Sequence, residues 1–102
     1  AIDLVSDGKS CYVIRNARPE MGRITGTGCQ LSGLICAFLA ANPQEKLGAA
    51  AAAVAMMGLA GEIGWSRMQE GDGNATYRNR IIDAVYNMDA ETLGRGVKYE
   101  VR

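Results

Sequence analysis

The run Ile24-Thr25-Gly26-Thr27-Gly28-Cys29-Gln30 leads straight into an apolar stretch beginning at Leu31, which requires a helix to open on a glycine-bearing turn. Thr27 followed three residues later by Gln30 has the form of a capping box and predicts a helix start at Gly28. Leu31, Leu34, Ile35, Phe38 and Leu39 fall at helical spacing on one stripe and carry the helix to about Ala41. Glycines in and before the first turn let the backbone approach a ligand with no Cβ in the way. The first amides of a helix lack intrahelical partners and form the positive end of its dipole, so they suit a phosphate or a developing oxyanion. Cys29 stands at the same place, where a helix start favours the thiolate. An ordinary glycine loop with a capped helix accounts for the same residues. The chemistry they permit is phosphoryl transfer.

Around this segment the chain reads as two strands and then helices. Leu4 and Val5 precede the turn signal Asp7-Gly8-Lys9-Ser10, and Tyr12-Val13-Ile14 follow it, which predicts a hairpin. Residues 16–23, with Pro19 and Gly22, read as an ordered loop. Asn42-Pro43 ends the first helix and begins a second, with Asn42 as N-cap, running to about Met68. Alanine and glycine crowd the middle of that helix and predict close packing against another helix or a sheet. Its charge-free run, Leu47 to Gly61, is shorter than the ~18 residues of a membrane span, so it reads as buried. A third helix, about Tyr77 to Met88, should bury Ile81, Ile82 and Val85. Asp89 to Gly94 reads as one short turn with Asp89 as its cap, and residues 97–102 are either a tail strand or an unstructured end.

Composition narrows the function. With 11 basic and 11 acidic residues, interspersed, the net charge is zero, and no basic stripe suits nucleic acid. No cationic amphipathic segment suits a membrane surface. Histidine is absent, which removes a His general base, a catalytic triad and His-bearing zinc sites. Three cysteines at no metal or redox spacing fit a reduced, intracellular setting. Cys11 and Cys36 read as small core residues. Gly8-Lys9-Ser10 imitates the end of a phosphate-binding P-loop, but position 3 is Asp3 where that loop needs glycine.

Gly26-Thr27-Gly28-Cys29 resembles the anion-hole signature of the ribokinase-like small-molecule kinases, usually Gly-Ala-Gly-Asp. Cysteine in place of the aspartate is similar to the hydroxyethylthiazole kinase branch. Asp3 to Gly8, Met21 to Ile24, Gly58 to Glu62 and Ile81 to Tyr86 resemble the last third of that family in the same order. The likeness implies an α/β fold: the carboxy-terminal part of a ribokinase-like three-layer α/β/α domain, a β-hairpin followed by three helices. Residues 1–102 would then be incomplete alone, partnered by the remaining amino-terminal part of the kinase. The implied activity is ATP- and Mg2+-dependent phosphorylation of the hydroxyethyl group of 4-methyl-5-(2-hydroxyethyl)thiazole in thiamine biosynthesis or salvage, by a cytoplasmic homotrimer.

By the same likeness the amides at Gly26, Thr27, Gly28 and Cys29 form the anion hole, and the Gly26 backbone also contacts the alcohol. Cys29 stands where the family's aspartate accepts the hydroxyl proton. A thiol, with a reference pKa of ~8.5, is the less available acceptor at neutral pH, so Cys29 is either a modest base or a positioning group. No carboxylates here have metal-ligand spacing, and magnesium would ride on the phosphates or on acids outside this chain. Arg23 either reaches a phosphate or is a solvated loop residue. Alternatives are a kinase for a hydroxymethylpyrimidine-like alcohol, and a non-catalytic phosphate-binding or assembly fragment. A thiol redox protein is disfavoured, because Cys29 has no resolving cysteine nearby in sequence. The chain alone is expected to be inactive.

Overall fold

In the computed structural model, which describes residues 2–102, strands β1 (Asp3–Ser6) and β2 (Cys11–Ile14) pair antiparallel, Ser6 opposite Cys11 and Asp3 opposite Ile14. Asp7 builds the connecting turn: its Oδ1 accepts the backbone N–H of Ser10 at 2.9 Å and of Lys9 at 2.8 Å. These bonds favour the ionised carboxyl and hold it below the ordinary aspartate value. The expected hairpin is thus present, but the sheet is larger. Strand β3 (Tyr99–Val101) pairs with the other side of β2, placing Val101 opposite Tyr12 and Tyr99 opposite Ile14. Residues 99–101 are therefore a strand, and β1 and β3 form the two edges of the sheet.

Three long helices follow, α1 (Thr27–Ala41), α2 (Lys46–Ser66) and α3 (Asn74–Tyr86), then a short α4 (Ala90–Gly96). Asp89 caps α4, its Oδ1 accepting the Thr92 N–H at 2.7 Å. Asn42 does not start α2. Its side-chain amide donates to the Phe38 carbonyl at 3.0 Å and closes α1 instead, leaving Pro43 in the turn. Glu45 occupies the N-cap of α2. A 3-10 turn at Pro19–Arg23 lies within the expected loop.

Helix α2 organises everything else. It is 21 residues long with mean hydropathy 1.5 in its most apolar window, long and apolar enough to cross a membrane by length and composition. That window is 56% buried within the chain, as a core helix would be. One of its sides faces the sheet, where Ala51, Val54 and Ala55 meet Ile14. Another meets α3, where Met57 and Ala60 meet Tyr77, Ile81 and Ala84. Ile81 is fully buried, which contributes roughly 1.5–3 kcal/mol. Ile82 is not in the core: it is 40% exposed, since α3 turns Tyr77, Ile81 and Ala84 inward. The Tyr77 hydroxyl donates to the Gly61 carbonyl at 2.9 Å, and the Trp65 ring stands edge-on to it with centroids 5.3 Å apart. Burial pushes the Tyr77 phenol up to about 12, so the donor keeps its proton.

Candidate active site

The start of α1 reaches its donor cluster by a different route from a capping box. Gly26 is the N-cap, with φ 95° and ψ 2°, a left-handed conformation that suits glycine. Thr27 is already helical, and no side chain caps the helix. The Gln30 N–H donates to the Gly26 carbonyl at 3.0 Å, which makes Gln30 the first residue with an i−4 partner. The amides of Thr27, Gly28 and Cys29 therefore precede the helix's own ladder and are free for an anion. Gly28 and Cys29 are exposed, while Gly26 and Thr27 are half-buried. A Cβ built at Gly26 or Gly28 would meet nothing within 4 Å, so the space at the turn is open. Neither of two cavities, of about 310 and 380 Å3, is lined by residues 26–29.

Cys29 carries a free, exposed thiol in this first turn. Cys36 is also exposed on α1 rather than a core residue, and Cys11 is half-buried. Arg23 ends the 3-10 turn, exposed to solvent. The Arg18 guanidinium lies 5.4 Å from the Trp65 ring centre and pairs with Glu20 at 2.8 Å, so it is engaged with structure. Among the described residues, no group of three His, Cys, Asp or Glu side chains converges on a point that could hold a metal ion.

Sequence reading missed a polar network centred on Asn16. Among the described residues, Asn16 is the one buried polar side chain in the core, 1% exposed. Its Nδ2 donates to Glu62 Oε2 at 2.6 Å and to the Gly96 carbonyl at 3.0 Å, while its Oδ1 accepts the Lys98 N–H at 2.8 Å. Glu62 also accepts the Ala17 N–H at 3.3 Å and pairs with Lys98 Nζ at 2.6 Å. These partners lie 46 to 82 residues apart in sequence, so no local pattern announces them. Burial works against ionisation of Glu62, but the hydrogen bonds from Lys98 and Asn16 and the Lys98 charge outweigh it, and its carboxyl is lowered from 4.5.

A lowered carboxyl stabilises the fold above its unfolded value, and that stability is lost as pH falls through the folded value. The destabilising effect of Glu62→Gln is therefore expected at neutral pH and should shrink as pH drops below 4.5, followed by thermal melts of both chains. Next to Asn16, Ala17 adopts φ 129°, a conformation that strains any side chain. Ala17→Gly is expected to gain about 1 kcal/mol, the relief of strain less glycine's chain entropy, and to raise Tm by roughly 4–8 °C in calorimetry.

A small sheet backed by helices, with a glycine turn and a free thiol at the start of one of them, defines an α/β unit. Residues 1–91 match the Hydroxyethylthiazole kinase family. The chain belongs to that family. A hydroxyethylthiazole kinase of Clostridium acetobutylicum is 44% identical over 100 residues, covering 98% of this chain and 37% of the relative. One of Zea mays is 42% identical over 102 residues, covering 100% and 35%. The structure of a hydroxyethylthiazole kinase protein from Pyrococcus horikoshii superposes with a TM-score of 0.88 at 28% identity, covering 100% of this chain and 38% of that one. The fold is thus an α/β portion of the hydroxyethylthiazole kinase fold, and the chain spans little more than a third of these relatives' length.

Proposed function

We propose that residues 1–102 supply the carboxy-terminal portion of a ribokinase-like kinase domain that phosphorylates the hydroxyethyl group of 4-methyl-5-(2-hydroxyethyl)thiazole with ATP. The observation that carries this reading is the donor cluster at Thr27–Cys29, with Gly28 and Cys29 exposed, behind a left-handed Gly26, in a chain of this family. The substrate hydroxyl oxygen attacks the γ-phosphorus, ADP leaves, and negative charge on the transferring oxygens meets the amides of residues 26–29. Fixed donors of this kind lower the barrier by stabilising charge that develops in the transition state. The Gly26 backbone also borders the alcohol, and Cys29 receives or orients the hydroxyl proton. Magnesium, in this reading, rides on the phosphates or on acids of the amino-terminal portion, and no step is assigned to it within this chain. Three free thiols fit a reducing cytoplasm. A homotrimer is part of this reading, as is completion by an amino-terminal portion of kinase.

The test is a chimera in which this chain replaces the matching 37% of the Clostridium acetobutylicum relative. ATP-dependent formation of the thiazole alcohol's phosphate ester, followed by phosphorus NMR, is the expected result, and the 102-residue chain alone should form none. A folded chimera that forms no ester while the parent relative does would overturn the reading.

A further inference from the structure

We propose that Asn16, held by Glu62, is the positioning residue for the donor cluster at the start of α1, although it lies ten residues before Gly26. The inference rests on the reading of that cluster as an anion site. The segment between the two is laid along α2 at three successive points. At the first, Asn16 sits against Gly58, where a Cβ would come within 2.9 Å of the Asn16 backbone. At the second, Met21 covers Gly61, whose added Cβ would overlap the Met21 sulfur. At the third, Ile24 enters the core beside Met57 and Ala60. Two residues later the chain makes the left-handed turn at Gly26.

Asn16 sets the first of these points. Both of its amide hydrogens and its carbonyl are used, and they tie the end of β2 to α2, to the end of α4 and to the residue before β3. The strain at Ala17 is the independent sign. A side chain at φ 129° persists only where its surroundings over-determine it, here by Asn16 on one side and the Ala17–Glu62 bond on the other. Such strain gathers where a segment must be held for function.

Asn16→Asp tests this, because it sets a carboxylate against Glu62 where a donor stood. Asn16→Asp combined with Glu62→Gln restores a donor–acceptor pair with the roles exchanged. Glu62→Ala, which removes the acceptor alone, carries the test if the first variant does not fold. In the 102-residue chain, amide hydrogen exchange at Met21, Ile24 and Gln30, whose N–H groups bond Arg18, Met21 and Gly26, is expected to quicken about tenfold or more, while Ile81 in α3 is unchanged. In the chimera, kcat/KM for ATP is expected to fall about tenfold or more at a temperature well below Tm, since a small misplacement of catalytic groups has effects of that size or larger. The exchanged pair should recover part of both, since the Gly96 carbonyl still lacks its donor. Folded single variants that leave exchange and kcat/KM within twofold of the parent would overturn the proposal. An inactive chimera with accelerated exchange at residues 21–30 would sink the kinase reading and leave the positioning role standing.

Discussion

Gly58→Ala is expected to destabilise the chain by about 1–2 kcal/mol, the roughly 1–3 kcal/mol of forcing extra volume into a packed core less the gain in helix propensity. Inside a helix the same change normally gains roughly 0.5–1 kcal/mol, because glycine is the poorer helix former. At Gly58 the new methyl would lie 2.9 Å from the carbonyl carbon and Cβ of Asn16 and 3.0 Å from its carbonyl oxygen. Those are backbone or near-backbone atoms, and they cannot swing aside as a long side chain would. Since Asn16 is also held by the Gly96 carbonyl and the Lys98 N–H, the helix has to move away from the end of β2. Gly33→Ala is the control, because a methyl there, on α1, meets nothing within 4 Å. Urea unfolding should show a lowered midpoint for the first substitution and a raised one for the second. Equal midpoints would mean that the close approach of α2 to β2 is relaxed in solution.

The second large effect concerns Cys29. In the chimera, Cys29→Ala is expected to lower kcat by about a hundredfold, the lower end of what a positioned acid–base group contributes. Cys29→Asp should match or exceed the parent, since a carboxylate is ionised at neutral pH and suits the same first turn of α1. Single-turnover rates with saturating ATP measure the step directly. Equal rates for all three proteins would remove Cys29 from the mechanism and leave the backbone donors to act alone. The amides of Thr27, Gly28 and Cys29 survive each substitution, so binding of the phosphates should change less than turnover.

Where a signal was local, the sequence announced the element. The apolar stripe from Leu31 to Leu39 gave α1, and Asp7-Gly8 gave the hairpin turn that Asp7 now holds. The start of α1 is also legible, although the sequence points to Thr27 for the capping position that Gly26 holds. The glycine's left-handed backbone turns the chain into the helix one residue sooner, and no threonine oxygen is needed. Asn42-Pro43 misled for a related reason: an asparagine can close one helix as readily as open the next, and here its amide found the Phe38 carbonyl. The small residues of α2 signalled close packing without saying against what. Their partners, Asn16 and Met21, approach only once the chain has folded back on itself.

Strand β1 is hydrogen-bonded along one side only, with Leu4 67% and Ile2 58% exposed near it. Bare peptide groups beside greasy side chains make a template that recruits whatever extended polypeptide comes by. Preparations of the 102-residue species should therefore behave well when dilute and grow steadily stickier on concentration. The companion that suits it best is one that offers a strand.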